Sequence, residues 1–295
     1  AQTFLAKVGD TKHRYVSRCA TRAGATVAFY ARLHANRDAQ VKFLTEIRLL
    51  RYFRRHQPPF AAVVPKLLAW GRTPTFEWFT REYPLAPPLG SSRRLARQPS
   101  QTVAAAIGRT VAQIGAIPIR RLPFRIRAFR SDDYRIVAQC ASIAGDAGVP
   151  ARTCTALQRK FTRARPLLVR GNRTLAHGDL NLGNLLATDK QFWIIDWEQV
   201  HANNFAYDIG YLWAHLWQAP RPIRRAVLTG YLAVLPARRR RDFQTLLPLV
   251  VAYLCMGGVT WRAGREDQAE LQQRRRYYLQ LLQRCAGPFQ TLIDT

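Results

Sequence analysis

The spacing of hydrophobic and polar positions changes partway along the chain, and that change predicts two regions of different character. Residues 15–20 and 25–33 are short runs rich in aromatic and β-branched side chains, joined by turn residues at 21–24, and they predict paired strands. From Asp38, which suits a helix N-cap, Val41, Leu44, Ile47, Leu50 and Phe53 recur at helical spacing. That helix must end before Pro58 and Pro59. Two further strands are predicted at 66–70 and 76–83, separated by turn residues at 71–74. The stretch PLAPPLGSS, which begins at Pro84, reads as a linker. Beyond it the spacing turns helical at 101–117, 134–143 and 151–163. It returns to short strands over 174–198 and is mainly helical after Ala206. The expectation is an α+β chain, with a small β-rich N-terminal lobe at 1–85 and a larger, mainly helical C-terminal lobe at 86–295.

Composition narrows the class. The 295 residues are 48% hydrophobic and 22% charged, which excludes a disordered or fibrous chain. Charge is the unusual feature. Lys and Arg number 46 against 18 Asp and Glu, a formal +28, and arginine supplies most of the excess. Two readings stay open: a surface that attracts an anionic partner such as nucleic acid, a membrane surface or phosphorylated metabolites, or a coding bias toward arginine. The arginine runs at 238–241 and 274–276 read as solvated helix faces. Five scattered cysteines with no CxxC argue against a disulfide framework or a zinc site, and for a reducing, cytoplasmic setting. No signal peptide is visible at the N-terminus. Residues 243–261 carry no charge, but Pro248, Gly257 and Gly258 interrupt them, so a buried core helix is expected there and not a transmembrane segment.

The candidate chemistry lies in LAHGDLNLGNLLATDKQFWIIDWEQV, residues 175–200. Asp179 and Asn184 share a loop whose Gly178 and Gly183 permit tight backbone geometry. A strand at 184–187, a polar turn at 188–190 and a second strand at 192–195 would form a hairpin. That hairpin returns Asp196 to the neighbourhood of Asp179 and Asn184. Two carboxylates and an amide oxygen make a hard-oxygen site suited to magnesium on nucleotide phosphates. A carboxylate left free of metal can accept a proton from a hydroxyl.

HGDLNLGN, followed by IIDWE, resembles the catalytic loop and metal motif of the aminoglycoside phosphotransferase and choline kinase superfamily, small-molecule relatives of the protein kinases. The resemblance implies a protein-kinase-like two-lobe fold with ATP and Mg2+ as cofactors. It implies Asp179 as catalytic base, Asn184 and Asp196 as metal ligands, and His177 as a structural member of the loop. ANNFAYDIGYLWAHLW resembles the choline and ethanolamine kinase pattern, which implies that Asp208 is a buried carboxylate bonding to the catalytic loop. An ordinary helix N-cap would look much the same locally. Trp213 and Trp217, four apart, suit either an aromatic face for an amine headgroup or the core, and Glu198 is a third acceptor-binding candidate. In the N-terminal region Arg32 stands where kinases place a phosphate-binding lysine, with Glu46 as the helix acid meant to pair with it. Lys12 falls in the loop expected over the phosphates, and Glu82 opens the segment expected against the adenine.

The expected function is ATP- and Mg-dependent transfer of a γ-phosphoryl group to a hydroxyl of a small molecule. A sugar or amino alcohol is favoured over an aminoglycoside, because the C-terminal third offers few acids (Asp242, Glu266, Asp267, Glu270 and Asp294). The alternative is a catalytically weak kinase-fold scaffold, held to RNA or an anionic surface by its arginines. Oligomeric state is left open.

Overall fold

The protein is described as a computed structural model covering residues 4–6, 14–20, 26–33, 37–91, 94–128, 148–171, 173–260 and 268–294. Five strands form one antiparallel sheet: β1 (Phe4–Ala6), β2 (Arg14–Ala20), β3 (Thr26–Leu33), β4 (Leu67–Arg72) and β5 (Phe76–Glu82), in the order β1-β2-β3-β5-β4. Between β3 and β4 runs α1 (Arg37–His56), which buries Phe43, Ile47, Leu50 and Phe53, residues of its predicted apolar face or one turn from it. Phe79 of β5 lies beneath, 4.9 Å from Phe43 and stacked 4.6 Å from Tyr30. Aromatic packing therefore fixes the helix on the sheet.

The proline-rich segment after β5 is not a loose tether. It lies along the short strand β8 (Leu185–Ala187), with Leu89 N–H bonded to Leu185 O at 2.8 Å and Ala187 N–H to Pro87 O at 3.0 Å. Strand β9 (Phe192–Ile194) completes the β8 hairpin, and Ile194 N–H bonds to Val63 O at 2.7 Å. Three further short strands, β6 (Arg127–Ala128), β7 (Thr174–Ala176) and β10 (His201–Asn203), form a sheet in the order β6-β10-β7. Residues 127–128 and 201–203 are too short to leave an alternating pattern, so neither β6 nor β10 is legible as a separate strand before the fold is known.

The rest of the described chain is helical: α2 (Gln101–Ile114), α3 (Ala151–Gly171), α4 (Tyr207–His215), α5 (Arg221–Val234), α6 (Ala237–Thr260), α7 (Gln268–Ala286) and α8 (Phe289–Ile293). Ser100 caps α2 by accepting the Val103 N–H at 3.3 Å. Helices α2 and α5 cross closely: a Cβ on Gly230 would sit 2.0 Å from Ala105 O, and one on Gly108 1.9 Å from Val227 O. Helix α6 holds the charge-free stretch. Ala237–Val259 is long and apolar enough by composition to cross a membrane, yet it packs against α3, α4 and α7, with Phe243, Leu246, Leu247, Val250 and Val251 fully buried. The helix expected at 134–143 lies outside the described residues.

Candidate active site

Strand β7 leads directly into the loop. Its pairing with β10 sets His201 opposite Ala176, and the next residues turn sharply at Gly178, where φ is +89°. Any larger side chain there would press on Gln199 O at 2.3 Å and His201 Nδ1 at 2.7 Å, so only glycine fits. His177 is fully buried. Its Nδ1 accepts the Asp179 N–H at 3.3 Å, which leaves Nε2–H to donate to Ile195 O at 2.9 Å. The His177 ring lies 4.5 Å from Trp197, which meets Phe53 of α1 edge-on at 4.9 Å. One aromatic chain thus ties α1 to the loop.

Three donors converge on Asp179. Asn181 Nδ2 and the Tyr211 hydroxyl donate to Oδ1 at 3.0 and 2.7 Å, and Asn184 Nδ2 donates to Oδ2 at 3.2 Å. Asn184 Nδ2 also reaches the Asp179 carbonyl at 2.8 Å. The β8–β9 register, Leu185 opposite Ile194, continues into an Ile195 N–H to Asn184 O bond of 3.0 Å. Asp196 is therefore delivered beside Asn184. Among the described residues it is the one non-glycine with positive φ, at 63°, a left-handed geometry that aspartate tolerates better than most.

Asp208 is buried at the second position of α4, where its Oδ2 accepts the His177 N–H at 2.7 Å and its Oδ1 the Gly178 N–H at 3.1 Å. Burial raises its pKa, while His177 and the two N–H donors act in the opposite direction. The N-cap of α4 is Ala206, with no side-chain cap bond, so Asp208 is a loop anchor and not an ordinary cap. One turn further on, α4 presents Tyr211 to Asp179. No motif in the sequence marks Tyr211 for this contact. Its spacing of three from Asp208 was the available signal, since both fall on one helix face.

Arg32 and Glu46 fall on β3 and α1, the elements expected for them. Arg32 is buried and its Nη2 meets Glu77 Oε2 at 3.2 Å, the two lying directly opposite in the β3–β5 register. Desolvation lowers the Arg32 pKa and Glu77 opposes the shift. Glu77 was not anticipated, because a cross-strand pair shows only once the register is known. Glu46 is buried on α1. The Glu82 carboxylate accepts the Lys66 N–H at 3.1 Å, and its own N–H donates to Lys66 O at 2.9 Å. Glu82 thus ties the residue before β4 to the end of β5. Lys12 lies outside the described residues.

Among the acceptor candidates, Trp213 needs correction. Trp213 is fully buried in the core, and α4 ends at His215, so Trp213 and Trp217 do not share one open helix face. Trp217 is half-buried beside Tyr277, with 6.1 Å between ring centroids. Glu198 is half-buried in the turn that follows Asp196.

A β-sheet with one packed helix, a loop pinned by a buried carboxylate and a hairpin returning a second carboxylate define a kinase-like α+β fold. The chain belongs to the phosphotransferase enzyme family, whose profile matches residues 8–243. Comparison with curated protein sequences finds no match. Solved structures share the fold. An amicoumacin kinase in complex with AMP-PNP, Ca2+ and Ami superposes with a TM-score of 0.60 at 14% identity, covering 98% of this chain and 89% of its own. A microcompartment-associated aminopropanol kinase gives 0.58 at 15% identity, covering 95% and 90%. A choline/ethanolamine kinase family protein from Mesorhizobium loti gives 0.54 at 14% identity, covering 96% and 92%.

Proposed function

We propose that this phosphotransferase moves the γ-phosphoryl group of ATP to a hydroxyl of a small molecule, with Asp179 as the proton acceptor. The observation that carries the reading is the set of three donors fixing the Asp179 carboxylate, with Asn184 beneath it and Asp196 beside Asn184. A carboxylate offers about four acceptor positions. Three are used, and the remaining one, on Oδ2, serves an incoming hydroxyl. Asp179 orients that hydroxyl and takes its proton as the oxygen bonds to phosphorus and the bond to ADP breaks. Arg32 supplies buried positive charge on β3, in the role the family gives to a lysine.

The donor set fits magnesium. Asn184 commits its amide nitrogen to Asp179, which leaves Oδ1 for a cation, and Asp196 adds a carboxylate. No group of three or more His, Cys, Asp or Glu among the described residues forms a protein-only cage. Two oxygen ligands completed by phosphate and water is a common arrangement for this ion. When bound, it would neutralise charge on the transferring phosphate.

A sugar or amino alcohol remains the favoured acceptor, as few acids surround the helical region. The burial of Trp213 weakens the case for an aromatic cage and leaves Trp217 with Tyr277. Free thiols at Cys154, Cys255 and Cys285 fit a reducing, cytoplasmic setting.

The test is a transfer screen against sugars, amino alcohols and aminoglycosides, reading ADP release and the acceptor mass gain of one phosphoryl group. Transfer to a sugar or amino alcohol, abolished by EDTA, is expected. No transfer to any acceptor, with no stabilisation by Mg-ATP, would overturn the reading in favour of a scaffold.

A further inference from the structure

A second concave site, sharing no residue with the candidate active site, lies on α1. Arg48, Arg51 and Arg55 recur at spacings of three and four, so they share one helix face, and Tyr52 and His56 stand beside them. Across from them Pro123, Phe124 and Arg125 close a pocket of about 590 Å3. That volume falls within the roughly 300–1,000 Å3 typical of small-molecule sites.

The charge around this pocket is one-sided. Among the described residues no carboxylate lines it, and none of Arg48, Arg51, Arg55 and Arg125 makes an ion pair. Elsewhere the buried or exposed arginines Arg32, Arg72, Arg97 and Arg221 do find acids. The C-terminal carbonyls of α1 favour the cations of its last turn, but that effect fades within a turn and does not extend to Arg125 on the facing segment. Arg51 is steadied by an aromatic ring, its guanidinium carbon lying 5.3 Å from the centroid of Trp70. Four arginines therefore line one concavity without a counter-charge, and their like charges disfavour one another. An anion in the concavity removes that repulsion and meets planar forks that match phosphate oxygens in pairs.

We propose that this pocket binds a small polyanion carrying two or more phosphate groups, with Tyr52 and Phe124 as its apolar walls. Shape favours a small ligand over a nucleic-acid strand. The site is a single concavity, whereas a strand needs a long groove with successive stacking platforms. It gives the arginine excess one specific location on the surface.

The probe is tripolyphosphate, titrated calorimetrically into the full chain with EDTA present at about 0.15 M salt. The Arg48→Glu/Arg55→Glu double variant is compared with Arg238→Glu/Arg241→Glu, which removes the same charge from an exposed run on α6. Losing two charged contacts predicts roughly 100-fold weaker binding for the first pair and unchanged binding for the second. Arg125→Ala, on the opposite wall, is expected to weaken binding roughly tenfold and covers the case in which the α1 double variant misfolds. Equal weakening of both double variants would mean diffuse charge attraction, and no weakening in any variant would mean no site here; either result overturns the proposal. So would displacement of tripolyphosphate by poly(U) with a steep salt dependence, which would reassign the surface to nucleic acid. Asp179→Ala should bind the probe as wild type does, so a failure of the phosphotransfer reading leaves this result unaffected.

Discussion

The Asp179 carboxylate is held by side chains from two elements: Asn181 and Asn184 on its own loop, and Tyr211 on α4. Tyr211→Phe removes one hydrogen bond to a charged group while keeping the ring stacked on His215 at 4.6 Å. We expect kcat to fall by roughly tenfold with little change in KM for ATP, because the phenol positions the base and touches no nucleotide. Steady-state kinetics check this, and a KM-only effect would contradict it. Trp213 leads to the opposite expectation. Its indole Nε1 is buried with no hydrogen-bond partner among the described residues. Trp213→Phe therefore trades some packing for relief of an unsatisfied donor, and should alter stability by no more than about 1–2 kcal/mol. Acceptor KM should not move. A large KM change would restore Trp213 to the acceptor site. At this scale the sequence made Asp179, Asn184, Asp196, His177 and Asp208 visible, because their chemistry is concentrated in two contiguous motifs. Glu77 and Tyr211 were hidden. Each acquires its role from a neighbour far along the chain, Arg32 in one case and Asp179 in the other.

At the scale of elements, β2 to β5, α1 and the β8–β9 hairpin were legible from residue type and spacing, although β4 buries Leu67 and leaves Leu68 and Trp70 exposed. Strands β6 and β10 were not, yet β10 backs the catalytic loop. Its His201 donates from Nδ1 to Gln199 O at 2.9 Å and accepts at Nε2 from Asn203 Nδ2 at 3.1 Å, an arrangement that requires a neutral ring. Burial lowers its pKa below the ordinary 6.5, against the attraction of Asp208 and with added repulsion from Arg127 and His177. The unfolded chain takes up this proton more readily than the folded one. Stability supplied by the neutral ring is therefore present above pH 6.5 and is lost as pH falls through 6.5 toward the folded value. Asp208, raised by burial, contributes with the opposite sign, so a comparison is needed. The Tm drop from about pH 7.5 to about pH 5.5 should be smaller in His201→Gln than in wild type. The α2–α5 crossing is less forgiving. Gly230→Ala would force a methyl against the Ala105 carbonyl, and denaturant unfolding should show a loss of about 1–3 kcal/mol or more.

Across the whole molecule, the +28 charge conceals a local reversal. Between His177 and Asp208 stand five carboxylates and a single lysine, so the scarce acids collect around the Asp179 loop. The basic remainder includes the unpaired arginines of the α1 pocket. The two regions are joined by more than one chain segment: the proline-rich stretch lies along β8, Val63 bonds to β9, and the Phe53–Trp197–His177 contacts run from α1 to the loop. The α1 helix and the segments flanking the N-terminal sheet are thus mechanically connected to the Asp179 loop. The most direct test of the account is Asp179→Ala, measured for phosphoryl transfer to the best acceptor and for thermal stabilisation by Mg-ATP. Transfer should fall by about 10³-fold or more while stabilisation by Mg-ATP persists. Turnover equal to wild type in that variant would contradict the assignment of Asp179 as the catalytic base.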